Sequence, residues 1–330
     1  MLRRATLAAV IAAVAWLPSV APAPAAAATG LEGVPSFGHV FLIVGENTSL
    51  SALNKTNAPY QLGVVKPNSA WLTNYWAISH YSTSNYIAMT SGQFLPCHQA
   101  DEKPATCNQN VNNLFHQLDV VGVSWLEWNE SMPEPCLLVN AGSSRDGNSY
   151  RVKHNPAVYY ANIEGGDFSG EQGTSAECLH RVITMGDTTY NDTSAFDDAL
   201  ADGDVADFNY IVPNECEDGH DNCKPQGNNI RQFDDFLARE VPQIMDSPAW
   251  TSNDLIFVVY DEGNGKSPNN TDKFAGGNPP FAVIGGPVHD AIYTNFANHY
   301  GLLRTLEDGF GISQHLGAAG AAGTLGNIWN

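Results

Sequence analysis

The chain has 330 residues, is 43% apolar and 15% charged, and carries a formal net charge of −20. That length and apolar share support a substantial core, and so acidic a surface repels nucleic-acid backbones and anionic headgroups. No nucleic-acid partner is expected, whereas a phosphorylated substrate stays open because a bound cation can reverse the field locally.

Arg3 and Arg4 precede a mostly apolar run over residues 8–20 and an Ala-rich stretch to Ala28. Residues 1–28 read as a secretory signal peptide, cut after one of Ala26 to Ala28. A retained transmembrane anchor is the alternative, but Pro18, Pro22 and Pro24 interrupt the run. Residues 29–330 show no Pro/Ser linker, charge block or repeat, so one domain is expected. The six cysteines suit disulfides in an exported chain. Cys97–Cys107 and Cys216–Cys223 would close small loops and leave Cys136–Cys178, although sequence alone leaves the connectivity open. No pair has the spacing of a thiolate zinc site.

In chain order, the apolar run of residues 40–44 reads as a fully buried strand that ends in Gly45, Glu46 and Asn47. Polar groups at such a strand end lie where open α/β sheets bind ligands, although a helix cap and a turn explain them equally. Residues 71–78 look like a second strand, followed by Ser82, Thr83 and Ser84 at the start of a helix ending near Gly92. These hydroxyls are either caps or a nucleophile held beside free helix N–H groups, where a nearby metal would lower the hydroxyl pKa. Residues 111–118 look helical, and residues 120–126 look like a strand followed by Glu127, Trp128 and Glu130, as pocket lining or as a plain loop. Arg151 and Lys153 are scarce positive charges suited to holding a phosphate. The strand of residues 208–213 leads into a carboxylate-rich turn containing Glu215, Asp218, His220 and Asp221. Residues 230–245 place Ile230, Phe233, Phe236, Leu237, Val241 and Ile244 on one helical face. The strand of residues 254–260 ends in Asp261 and Glu262, and residues 279–287 form a further strand and turn.

Several of these segments together resemble the bacterial phosphoesterase family of secreted acid phosphatases and phospholipases C, within the alkaline-phosphatase-like superfamily. They are Glu46-Asn47, Asn57-Ala58-Pro59-Tyr60, Thr73-Asn74-Tyr75, His80-x-Ser82-x-x-Asn85-Tyr86-Ile87-Ala88-x-x-Ser91-Gly92, Lys153-His154-Asn155-Pro156, the turn from Pro213 to Asp221, Asp261-Glu262-Gly263 and Asn298-His299-Tyr300. The opening is closer to the acid-phosphatase branch, because Thr48-Ser49-Leu50 stands where phospholipases usually carry Arg-Ser-Phe. The resemblance implies metal ligands Glu46, Asn47 and Asp261, with Glu262 next, and a Ser82 nucleophile. Ser84 stands where the family often has Pro, which keeps Thr83 in competition as nucleophile. Asn85 is implied to touch a phosphate oxygen and His154 to lie in the site. His220 is implied to act on the leaving group with Asp218 as its neighbour. His80 opens the nucleophile motif and joins the candidates. His299 would be a ligand of a second metal or simply a helix-start residue. Asn264 replaces a common Gly and puts that loop's shape in question.

The expectation is a three-layer α/β/α sandwich with a mostly parallel sheet. Its function would be that of a secreted, metal-dependent phosphomonoesterase using a phosphoserine and acting as a monomer on a small phosphate ester. The alternatives are a phospholipase C-type diesterase, whose apolar cleft Trp71, Trp76, Trp125 and Trp128 would line and which alone would require a membrane surface, or a non-catalytic metal-binding protein. Carboxylate and amide ligands suit Ca²⁺, Mg²⁺ or Mn²⁺, and added His ligands would suit Zn²⁺ or Fe.

Overall fold

The computed structural model describes residues 30–94, 100–265 and 275–330. The expected signal peptide, Cys97 and His98 lie outside the described residues. The strands are β1 (Val40–Gly45), β2 (Ala70–Leu72), β3 (Tyr75–Trp76), β4 (Trp125–Asn129), β5 (Val182–Thr184), β6 (Phe208–Val212), β7 (Leu255–Tyr260), β8 (Phe281–Gly285), β9 (Ala291–Tyr293) and β10 (Ala297–Asn298). Eight of them form one sheet in the order β5-β4-β6-β1-β7-β8-β2-β9, while β3 and β10 pair apart. All neighbours run parallel except β8, which is antiparallel to both β7 and β2.

The sheet is covered on both faces, so its two middle strands, β1 and β7, are apolar at every position rather than at alternate ones. Val40, Leu42 and Val44 pack against Ile87 of the helix Ser82–Ser91, Phe115 of Leu114–Val121 and Leu303 of His299–Gly309. Phe41 and Ile43 face the opposite layer, where Phe196 of the helix Ser194–Asp202 and Phe233, Phe236 and Leu237 of Asn229–Asp246 lie. Burial of each large apolar side chain in these layers contributes about 1.5–3 kcal/mol.

Two expectations shift. The strand expected over residues 120–126 lies at Trp125–Asn129, because the preceding helix runs to Val121 and is stopped by left-handed Gly122 (φ 76°). Glu127 and Trp128 are therefore buried inside β4, and buried Glu130 directly follows it, instead of forming a pocket rim. The strand expected over residues 71–78 divides into β2 and β3 around Thr73 and Asn74, whose side chain accepts from Trp76 Nε1 at 2.6 Å.

Cys136 is bonded to Cys178, and Cys216 to Cys223. Cys107 is also disulfide-bonded.

Candidate active site

The strands β6, β1 and β7 are adjacent, and each passes into polar residues at its C-terminal end. Gly45 is the last residue of β1, and the site is tight for any side chain, since a Cβ there would lie 2.7 Å from Phe233 Cε1 and 2.9 Å from Tyr260 Cδ1. The chain then turns through Asn47 in the left-handed region (φ 49°). Glu46 N donates to Asp218 O at 2.6 Å, and Asp261 N donates to Gly45 O at 2.8 Å, which ties the three strand ends together. Asp261 Oδ1 accepts from Asn47 N at 3.1 Å and from Glu262 N at 2.6 Å.

The helix Ser82–Ser91 delivers its first residue to this junction. Ser82 Oγ donates to Glu46 Oε2 at 2.9 Å, and Asn47 Nδ2 donates to the same oxygen at 3.2 Å. Every residue of that helix is buried, so its hydroxyls must find internal partners. Thr83 bonds to Asp101 Oδ1 through N at 3.1 Å and Oγ1 at 3.4 Å, away from Glu46. Asn85 spends its amide on the backbone instead of opening to a ligand. Its oxygen accepts from Ile78 N at 3.1 Å and Ser79 N at 2.9 Å, and its nitrogen donates to Ser79 O at 2.9 Å. It shapes the turn that aims Ser82.

His154 is buried, stacked on Tyr86 with ring centroids 5.4 Å apart, and set between two acids. Its Nε2 lies 3.0 Å from Glu46 Oε1 and its Nδ1 3.3 Å from Asp218 Oδ2. Even so, Glu46 Oε1, His154 Nε2, Asp218 Oδ2 and Asp261 Oδ2 all lack a hydrogen-bond partner of proper geometry. Burial pushes Glu46 up from the usual carboxylate range, and burial plus the Glu46 charge pushes Asp218 and Asp261 well up. Lys153 is the nearby cation, held 3.5 Å from Asp101 Oδ2, and its pKa is raised against burial by Glu46 and Asp101. Buried carboxylate oxygens without partners are costly unless a cation joins them. The unpartnered oxygens of Glu46 and Asp261, with Asn47 and Glu262 beside them in sequence, are oxygen donors of the kind a hard divalent cation takes.

On the flank, His80 Nδ1 lies 2.6 Å from Glu262 Oε2, and its Nε2 donates to Gly265 O at 2.6 Å. Burial pushes Glu262 up to about 8, and the bond to Glu262 raises His80. His299 is not arranged as a ligand. The carbonyl of Asp261 only accepts, so His299 Nε2 donates to it at 2.5 Å, and Nδ1 accepts from Tyr75 OH at 2.7 Å. Both ring nitrogens are committed, and burial pushes the imidazole down to about 4. It begins its helix and supports the Asp261 backbone.

The loop after β6 is closed by Cys216–Cys223 and pinned by the next helix, where Asn229 Nδ2 donates to Gly219 O at 2.6 Å and Gln232 Oε1 accepts from Cys223 N at 3.0 Å. Glu130 seats the loop's start by accepting from Asn214 N at 2.9 Å and Asn214 Nδ2 at 2.8 Å. His220 stands half-exposed on this loop with Nδ1 2.8 Å from Asp221 Oδ1. Glu215, His220 and Asp221 also bring ligand-type atoms within 4.8 Å of one another, but Glu215 Oε2 already accepts from Ser149 Oγ at 2.7 Å and pairs with Arg151 Nε at 2.7 Å. Sequence reasoning passed over Asp101 and placed Asp221 in the acidic turn without giving it a role. Asp101 stands in a loop with no pattern, and Asp221 reads as one more solvated acid until the short disulfide loop folds it onto His220.

The four tryptophans provide no apolar cleft. Trp71, Trp125 and Trp128 are buried in the core, and half-buried Trp76 is bonded to Asn74.

Among solved structures, an alkaline phosphatase superfamily protein from Vibrio parahaemolyticus superposes with a TM-score of 0.56 at 14% identity, over 86% of this chain and 69% of its own. Among sequences, a probable acid phosphatase of Kluyveromyces lactis is 24% identical over 86% of this chain and 60% of its own length. A phosphatidylinositol-3-phosphatase of Mycobacterium tuberculosis is 26% identical over 90% of this chain and 84% of its own length. The chain spans between 52% and 60% of the length of the acid phosphatases it matches. The profile of the Phosphoesterase family matches residues 38–313, so the chain belongs to the Phosphoesterase family.

Proposed function

We propose that the protein is an exported, metal-dependent phosphomonoesterase of the acid-phosphatase type, with Ser82 as nucleophile. The observation that carries this reading is the Ser82 hydroxyl donating at 2.9 Å to Glu46, inside a group of buried carboxylates with unpartnered oxygens. Ser82 attacks phosphorus and passes its proton toward Glu46, which gives a phosphoserine that water later hydrolyses. A divalent cation held by Glu46, Asn47, Asp261 and Glu262 would supply Lewis acidity and lower the hydroxyl pKa. An all-oxygen donor set favours Ca²⁺, Mg²⁺ or Mn²⁺. Lys153 offers positive charge to the phosphoryl oxygens, and His220 protonates the departing oxygen. The orientation of Ser82, opposite to that of Thr83, supports the assignment between the two hydroxyls. The matched disulfides suit an oxidising compartment, and no described helix is long and apolar enough to cross a membrane.

The monoester reading is favoured over the phospholipase C reading because the expected tryptophan cleft is core. The test is hydrolysis of a phosphate monoester and the matching diester, side by side, with and without chelator. Chelator-sensitive monoester turnover restored by a divalent cation is the expected result. Faster diester turnover would favour the phospholipase C reading. Metal binding with neither turnover would favour a non-catalytic protein.

A further inference from the structure

We propose that Asp221 is a positioning residue for the leaving-group acid, orienting His220 so that Nε2 faces the departing oxygen. This rests on the assignment of His220 given above. Asp221 Oδ1 lies 2.8 Å from His220 Nδ1. An ionised carboxylate only accepts, so Nδ1 is the donor and Nε2 is left for the substrate. Asp221 is itself fixed from three sides. Its Oδ2 accepts from Ser144 Oγ, its N donates to Glu215 O at 2.9 Å, and its carbonyl accepts from Gln232 Nε2 at 3.2 Å. Burial opposes its charge, but the hydrogen bonds from Ser144 and His220 outweigh burial and hold it below the usual carboxylate range. The imidazole is anchored at its main chain as well, where His220 N donates to Asp218 Oδ1 at 2.7 Å.

In the step itself, the Ser82 oxygen–phosphorus bond forms and the bond from phosphorus to the ester oxygen breaks. The electron pair stays on that oxygen, and the Nε2 proton of a doubly protonated His220 moves onto it. His220 is left neutral, with its Nδ1 proton still shared with Asp221. The neutral ring then takes a proton from the water that attacks phosphorus, the bond from phosphorus to the Ser82 oxygen breaks with its electron pair left on that oxygen, and the proton held by Glu46 returns to it, so the cycle closes without a further reactant. The alternative use of this corner, a cation bound by Glu215, His220 and Asp221, would have to displace hydrogen bonds that already satisfy these groups.

The test compares kcat/KM for p-nitrophenyl phosphate, whose leaving group needs little protonation, and for an alkyl phosphate, whose leaving group needs it fully. The variants are Asp221→Asn, Ser144→Ala and His220→Gln. A positioned acid is worth about 10²–10⁴-fold. His220→Gln is therefore expected to lose on that order with the alkyl ester and far less with the aryl ester. Asp221→Asn should lose roughly tenfold or more with the same selectivity, and Ser144→Ala a smaller amount in the same direction. Equal losses on both esters in Asp221→Asn, beside a selective His220→Gln, would overturn the proposal. Recovery of Asp221→Asn by excess divalent cation would overturn it in favour of a cation site. A non-selective His220→Gln would remove the assignment of His220 and the proposal with it.

Discussion

Ser82 and Thr83 are neighbours in sequence, yet the first helical turn sends their hydroxyls to different acids, Glu46 and Asp101. Ser82→Ala should lower kcat by about 10³-fold or more with metal bound, on the scale of general covalent-catalysis losses. Thr83→Val should retain most of kcat, because it removes bonds to Asp101 and Tyr159 and none to Glu46. Steady-state kinetics on one monoester distinguishes the two. His299 acts at one remove, through the carbonyl of Asp261. His299→Phe would leave that carbonyl and Tyr75 OH unpaired, at a cost of about 1–3 kcal/mol in denaturant unfolding. It should also raise the metal concentration needed for half-maximal activity. Such roles were not legible in the sequence. The helix-start reading of His299 was available in the sequence, but only the folded partners reveal that its ring is spent on the Asp261 carbonyl and the Tyr75 hydroxyl, and the Asn85 amide on backbone.

At the scale of elements, the three strand ends that build the site were the most legible part of the chain. β1 and β7 are apolar throughout because both faces of the sheet are covered, and the first polar residues after them mark the edge where the site lies. β4 was misplaced because its middle residue is Glu127, which reads as loop, and its last is polar Asn129. Both are accommodated by local bonds, with Asn129 Nδ2 donating to Glu127 Oε1 at 3.2 Å and Ala157 N donating to Glu127 Oε2 at 3.1 Å. β9 was not expected at all, being a three-residue edge strand with Ala291 and Ile292 exposed. Gly45 offers a test of how tightly β1 is wedged. Gly45→Ala must push the Phe233 and Tyr260 rings aside, at about 1–3 kcal/mol, read as a lower midpoint in urea.

For the whole molecule, buried acids set the pH response. Burial pushes Glu127 up to about 8 from an ordinary 4.5, and Glu307 likewise to about 8. A carboxyl whose folded pKa is raised binds its proton more readily when folded, so its stabilisation is complete below the unfolded pKa and is lost as pH rises through about 8. Thermal stability should therefore increase from about pH 8 to about pH 5, by at most about 1.4 kcal/mol per pH unit for each such group. Glu127→Gln should flatten that rise and lift the melting temperature at the alkaline end. An unchanged slope in differential scanning calorimetry would count against Glu127 as a contributor.

The most direct check on the central claim is to quench the protein in acid during turnover of a phosphate monoester and map the phosphate by peptide mass spectrometry. The expected result is a phosphoryl group on the peptide containing Ser82, at Ser82 itself, absent in Ser82→Ala and absent when chelator is present. Phosphate on Thr83 or on another residue, or undiminished turnover by Ser82→Ala, would contradict the account.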